Sequence, residues 1–306
     1  MSAYVGRFAP TPSGPLHLGS LLAAVVSWLD ARGQQGRWHL RIDDIDRPRV
    51  AAGASDAILR ALDCHGLGWD GPVRYQSRRG QAYQEAAERL YGAGHLFACT
   101  CSRQQVLATG RIGWEGPVYP GTCRTGPPHS RDTHALRLRV RQRYWEIEDR
   151  ALGPVAFDLQ ALGGDFVVRR ADGLFAYQLV TVVDDLALGV TDVVRGIDLL
   201  GSVPRQMHLY QALEQTPPRY LHHPVVVARD HRKLAKSHGA APVRCRDAVP
   251  ALARILTAIG VPDLDPEMTG SGSGTVTMLL EHALRHWHPA RLPVDPIATA
   301  ALQHRG

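Results

Sequence analysis

The chain has 306 residues, long enough for a large core and two modest domains, with 44% hydrophobic and 21% charged residues. That composition excludes a disordered or fibrous chain, and no apolar run reaches membrane-spanning length. The N-terminus lacks a basic–apolar–small export pattern, so the expected location is the cytoplasm. A net charge of +6, carried mostly by arginine, is compatible with a polyanionic partner but equally with a generally basic surface.

Residues 3–9 read as a short strand. They lead into R-F-A-P-T-P-S-G-P-L-H-L-G, residues 7–19, and then a helix over 20–32. Prolines stiffen this turn, and Gly14 and Gly19 remove side chains where a flat base or a phosphate would approach the backbone. Thr11 and Ser13 offer hydroxyls, and His17 stands at the first turn of the helix, placed to donate to a phosphoryl oxygen. A proline-rich surface loop with a histidine is the bland alternative.

A strand over 37–42, an amphipathic helix over 53–65 and a helix over 80–95 follow. Strand, turn, helix and strand in this order predict a parallel α/β sheet. Between 99 and 135 periodicity is lost and Gly, Pro, Cys and Thr dominate, the texture of a small module that needs a staple. Cys99, Cys101 and Cys123 fall in it. Three clustered thiols without an export signal favour a structural Zn²⁺ over three reduced thiols, with the fourth ligand open and His129 and His134 as conventional candidates. Cys64 and Cys245 are isolated and are expected to be reduced.

Short alternating runs make 136–170 β-rich. A helix within 174–190, the strand and turn V-T-D-V-V-R-G-I-D-L-L, and a helix over 203–214 come next. H-R-K-L-A-K-S-H-G, residues 231–239, then places two lysines and Ser237 in a glycine-containing loop. Mobile lysines can clamp phosphates as charge develops. After 246 two helical stretches are separated by M-T-G-S-G-S-G-T.

Taken together, P-L-H-L-G (Pro15–Gly19) and the Lys233–Ser237 loop resemble the two signatures of class I aminoacyl-tRNA synthetases. R-F-A-P-T-P-S-G, L-R-I-D-D-I-D-R-P-R and V-V-R-G-I-D-L-L narrow the resemblance to the glutamyl-tRNA synthetase catalytic domain, over about residues 4–245. With only about seventy residues after the lysine loop, the chain looks like the truncated glutamyl-queuosine tRNA(Asp) synthetase branch, which lacks an anticodon-binding domain.

The resemblance implies an α/β fold: a Rossmann-type parallel sheet in two halves (1–75 and 183–245), an inserted zinc-stapled α+β module (76–182) and a short helical C-terminal part (246–306). It implies tRNA-independent activation of L-glutamate by Mg²⁺-ATP, then transfer to the queuosine of tRNA(Asp), by a monomer. Pro15, His17, Gly19, Lys233, Lys236 and Ser237 match ATP-contacting positions, with His17 and Lys236 at the transition state. Arg7, Phe8, Ala9, Pro10, Thr11, Asp43, Tyr177 and Arg195 match the glutamate-contacting positions, and Tyr119 matches the family's phenolate zinc ligand.

Read from the residues alone, Arg7 and Arg195 suit carboxylates, Asp43 an ammonium group and Tyr177 a hydroxyl contact. Asp43 stands where related synthetases have R-I-E-D, so its carboxylate is one methylene shorter. The alternatives are that Asp43, Asp44 and Asp46 cap a helix near Pro48, that Arg195 pairs with Asp192 or Asp198, and that Tyr177 is a core aromatic. Charging of the 3′ end of tRNA(Glu), small-molecule adenylyl transfer and non-catalytic tRNA binding are the rival functions.

Overall fold

The computed structural model describes residues 3–109, 111–113, 116–127, 133–228, 234, 240–264, 268 and 275–302. The chain opens with Val5–Phe8 (β1), Leu18–Gly33 (α1), Arg37–Ile42 (β2), Ala54–Cys64 (α2), Arg74–Tyr75 (β3) and Gly80–Gly92 (α3). Leu96–Cys99 (β4), Arg103–Leu107 (α4), Ile112–Gly113 (β5), Gly116–Pro117 (β6) and Ala135–Leu138 (β7) follow. Next come Tyr144–Asp149 (β8), Gly153–Asp158 (β9), Phe166–Arg169 (β10), Tyr177–Leu188 (α5), Asp192–Gly196 (β11), Val203–Ala212 (α6) and Arg219–His223 (β12). Val226–Val227 (β13), Ala248–Ala258 (α7), Thr275–His286 (α8), Ile297–Ala298 (β14) and Thr299–Leu302 (α9) complete the order.

The parallel sheet predicted from the strand–turn–helix order is present. β1 pairs with β2 from Val5↔Arg37 to Phe8↔Leu40, and β2 continues to β3. On the other side β11 pairs in parallel with β12, β12 meets β8 at Tyr220↔Asp149, and β9 closes the edge antiparallel. The two halves meet where Thr191 N donates to Val5 O at 2.9 Å and Val5 N to Thr191 Oγ1 at 2.9 Å. The chain therefore leaves β1 towards β2 on one side, and later runs from β11 to β12 on the other. The crevice beyond the C-terminal ends of β1 and β11 is a switch point of the kind where open α/β sheets bind ligands.

Helix α1 crosses this junction. Leu21, Leu22, Val25, Val26 and Leu29 are fully buried, so the helix is apolar on several sides, as a helix between two layers must be. One layer is the sheet, through Trp38, Leu40 and Ile42. The other is α7 and α8, through Leu252, Ile255, Leu256, Leu279 and Ala283. A second core lies under the antiparallel β10–β7–β4 sheet, where α3, α5 and α6 contribute Leu90, Leu179 and Leu209. A third, small cluster holds Phe97, Val106 and Tyr119 with the buried Cys99 and Cys123. No helix among the described residues is long and apolar enough to cross a membrane.

One expectation is corrected. Cys64 and Cys245 are not separate thiols but form a disulfide, with Cα atoms 5.4 Å apart. Val243 N donates to Leu16 O at 2.9 Å, and His17 makes a β-bridge with Pro242, so the segment after the lysine loop lies along the proline-rich turn. That brings Cys245 to the C-terminal end of α2 across 181 residues of sequence, a proximity no local pattern encodes.

Candidate functional site

The proline-rich turn is held by its neighbours rather than by itself. Asp43 N donates to Pro10 O at 3.0 Å, Ala51 N to Pro12 O at 2.9 Å and Ser13 N to Thr11 O at 2.9 Å. Gly14 sits at φ +140°, which a side chain would strain. His17 is the N-cap of α1. Its Nδ1 accepts from Ser20 N at 3.3 Å, while Ser20 Oγ stands 2.8 Å from His17 N, a reciprocal capping box. Because Nδ1 accepts, the ring hydrogen is on Nε2, where it can be donated. A Cβ on Gly19 would lie 3.2 Å from the His17 ring, so Gly19 is what lets the imidazole fold over the helix start.

Beyond the strand ends opens a cavity of about 710 Å³. Arg7, Phe8, Ala9, Pro10, Thr11, Asp43, Tyr177, Arg195, His17 and Gly19 all line it, although they come from four distant stretches of sequence. Pro15 is exposed and is not among the lining residues. Lys233, Lys236 and Ser237 lie outside the described residues. Leu234, between the two lysines, is described: its N donates to Val226 O at 2.7 Å, and it borders the cavity.

The floor of the cavity is charged and buried. Arg7 Nε reaches Asp185 at 3.2 Å and its Nη1 donates to Val194 O at 3.3 Å. Arg41, 1% exposed, spans Asp43 through Nε at 2.6 Å and Asp185 through Nη1 at 2.6 Å. Asp184 beside them accepts from Gln76, Arg79 and Tyr83. Burial raises the Asp43 carboxyl to about 6 against the opposing pull of Arg41, with Asp184 and Asp185 adding to the rise.

Asp44, by contrast, points away and holds Ser77 N at 2.8 Å, and Asp46 makes no side-chain cap on the following turn. Arg195 pairs with neither aspartate suggested by the sequence. Its Nε donates to His222 Nε2 at 3.1 Å and its Nη1 to Gln206 Oε1 at 2.8 Å. Its Nη2 is buried without a partner among the described residues. Tyr177 is 39% exposed at the start of α5 and is not a core aromatic.

Arg41, Asp185, His222 and Gln206 are site residues that the sequence reading missed. Arg41 lay within the quoted R-I-D-D string. The others sit on a buried helix or strand and acquire meaning only from what they face.

In the small third cluster, the Sγ atoms of Cys99, Cys101 and Cys123 lie within 4.8 Å of one another. Tyr119 OH stands 3.4 Å from Cys99 Sγ and 4.0 Å from Cys101 Sγ. Arg137 Nε is 3.2 Å from Cys99 Sγ, and its guanidinium lies 3.9 Å over the Tyr119 ring. Burial would raise the Cys123 thiol, but hydrogen bonds from Tyr119 and Thr100 bring it down to about 7. No histidine joins the group among the described residues, and His129 lies outside them.

A cavity at the switch point, a capped helix end with a donating imidazole, and both signs of charge on the floor suit a phosphate ester together with a zwitterion. The family model described as tRNA synthetases class I (E and Q), catalytic domain, matches residues 4–249, and the chain belongs to that family. Among its relatives is the Glutamyl-Q tRNA(Asp) synthetase of Pseudomonas entomophila (strain L48), 48% identical over 288 residues and 94% of each chain. The protein of the same name from Chromobacterium violaceum is 47% identical over 295 residues, 96% of this chain and 97% of that one. In structure the chain is similar to a glutamate tRNA ligase from Elizabethkingia meningosepticum solved with its amino acid. The TM-score is 0.80 at 19% identity, over 98% of this chain and 68% of that one, a likeness of fold.

Asp185 holds two buried guanidiniums at once. Asp185→Asn is expected to cost about 3–5 kcal/mol, the price of leaving buried charge uncompensated. Urea unfolding of the two proteins measures it, and a loss under about 1 kcal/mol would refute the shared-anchor role.

Proposed function

We propose that this chain activates L-glutamate with Mg²⁺-ATP in the absence of tRNA and transfers the glutamyl group to the queuosine of tRNA(Asp). The observation that carries the reading is the convergence of Arg7, Asp43, Tyr177 and Arg195 on one cavity beside His17. Membership of the family and the name borne by relatives that align over 94% of the chain support the choice of substrates.

In the first step the glutamate α-carboxylate oxygen forms a bond to the ATP α-phosphorus as the bond to pyrophosphate breaks in line. The carboxylate is already ionised, so the protein supplies position and charge rather than a base. Arg7 and Arg195 take carboxylate, Asp43 the ammonium and Tyr177 a hydroxyl contact. The residues from Phe8 to Thr11 form the wall. His17 Nε2–H and Lys236 serve the transition state, with Lys233 and Ser237 closing over the phosphates. The chain has two lysines, Lys233 and Lys236, against thirty-three arginines. Where a forked, fixed cation serves, the chain uses arginine; the flexible point charge is kept for this loop. In the second step a queuosine hydroxyl attacks the acyl carbonyl and AMP leaves. The residues assigned to glutamate all come from one chain, which suits a monomer working in the compartment that holds ATP and tRNA.

We read Cys99, Cys101, Cys123 and Tyr119 as the ligands of one structural Zn²⁺. Their spacing suits a closed tetrahedral site, and the nearby Arg137 favours deprotonated ligands. Such an ion would staple a module whose apolar cluster is small, and it has no part in the chemistry. The residues 76–182 then form the inserted module, 1–75 and 183–245 the two halves of the catalytic domain, and 246–306 the helical C-terminal part.

Glutamate-dependent ATP–pyrophosphate exchange without tRNA is the expected result, followed by label on queuosine-containing tRNA(Asp) that is lost when the acceptor is pre-oxidised by periodate. Exchange only with tRNA(Glu), with label on its 3′ end, would establish a conventional synthetase instead; no exchange with any amino acid would leave a binding protein. Metal analysis is expected to find one zinc per chain, and strong chelation to lower Tm by several degrees; a metal-free protein with unchanged Tm would remove the staple. Asp43 must be ionised to hold an ammonium, and its carboxyl binds a proton below about 6. kcat/KM for glutamate should therefore fall about tenfold per pH unit below that point, an acid limb absent from the weakened Asp43→Asn enzyme.

A further inference from the structure

What aims Arg195 is written in the sheet. Arg195 on β11 and His222 on β12 are register partners in a parallel pair, so their side chains leave the sheet on one face. Asp149, the last residue of β8, is level with Tyr220, two residues before His222. The three side chains form a buried row across adjacent strands. Arg195 Nε donates to His222 Nε2 at 3.1 Å, and His222 Nδ1 lies 2.6 Å from Asp149 Oδ2. The Tyr220 ring stacks on the imidazole, with the Arg195 guanidinium 5.4 Å above it.

The chain of donors has one direction. An arginine Nε can only donate, so His222 Nε2 must present its lone pair and Nδ1 must carry the hydrogen. Asp149 receives that hydrogen with Oδ2. Its other oxygen, Oδ1, already takes three backbone N–H groups, from Ala151 at 3.0 Å, Leu152 at 3.1 Å and His222 at 3.2 Å. The carboxylate cannot turn without losing all three. Burial, with Arg195 beside it, keeps the imidazole below its usual range despite Asp149 and the more distant Asp198, so it stays neutral.

We propose that Asp149 and His222 are positioning residues for glutamate activation: Asp149 selects the Nδ1–H tautomer of His222, whose Nε2 fixes the Arg195 guanidinium at the wall of the amino-acid cavity. This rests on the reading that Arg195 binds a carboxylate of glutamate. It adds two residues that touch no substrate and act through a third.

Asp149→Asn tests it, because the three backbone donors hold the amide oxygen at Oδ1 and leave the NH₂ facing His222 Nδ1. The imidazole must then accept at Nδ1 and place Nε2–H against Arg195 Nε–H. The expected result is a glutamate KM raised about ten- to a hundredfold, with the ATP KM and kcat within about twofold. In a His222→Gln background, where an amide oxygen can accept from Arg195 without a tautomer, Asp149→Asn should add almost nothing. Long-range ¹H–¹⁵N histidine spectra of the unmodified protein should show His222 as Nδ1–H; an Nε2–H ring would overturn the proposal whether or not any variant folds. Arg195→Ala run in parallel separates the two readings. If it leaves the glutamate KM unmoved, the site reading fails and the proposal with it. If it raises that KM but Asp149→Asn does not, or raises the ATP KM equally, the positioning role alone is refuted.

Discussion

A single buried carboxylate ties the site to the fold. Asp185, on the buried face of α5, meets Arg7 at the end of β1 and Arg41 at the end of β2. Neither guanidinium could lie under that much protein alone, because an unpaired buried charge costs several kcal/mol. The pairing therefore constrains three elements at once. It locks α5 to the two strands whose ends form the cavity floor, and it leaves Asp43, on the far side of Arg41, facing the opening. Asp184 repeats the arrangement one residue earlier for Gln76, Arg79 and Tyr83, so the floor is a connected polar layer rather than a set of isolated pairs.

Around that layer the parallel sheet does the positioning. Strand ends are well-determined points, because every residue of β1, β2, β11 and β12 is registered against a neighbour. Side chains from Arg7, Asp43 and Arg195 thus reach one volume with little freedom to lose on binding, which is the arrangement a positioning mechanism requires. The capped start of α1 adds a helix N-terminus and the His17 donor on the same side. Leu234, between the two lysines, is pinned to Val226, and Val243, after the lysine loop, to Leu16, the residue before His17.

The legible parts of the molecule were those with local chemistry. The rigid turn, the flanking strand and helix, and the following strand and amphipathic helix could all be read from proline, glycine and hydrophobic period. The cysteine cluster was legible too, since Cys99, Cys101 and Cys123 lie within twenty-five residues of one another. Less legible was the partner of each charge. Asp44 and Asp43 are adjacent and identical in type, yet one faces Ser77 and the other the cavity, a choice made by the path of the chain after β2. Arg195 was expected beside Asp192 or Asp198 if it were structural, but Asp192 is taken by Arg150 and Arg219. The Cys64–Cys245 bond was missed for the same reason: each cysteine is unremarkable within its own segment.

The sequence by itself determined the class of fold, the phosphate-type turn with His17, the family resemblance and the residue types a zwitterion and a phosphate ester demand. These are properties of short windows, where sterics and hydrogen bonding act between near neighbours. Only the tertiary structure decided which aspartate meets Arg7 and Arg41, that His222 and Asp149 stand behind Arg195, and that two distant cysteines touch. Those are consequences of packing distant strands and helices into one sheet, and an ion pair or a tautomer is defined by the group across the gap, not by the residues on either side in the chain.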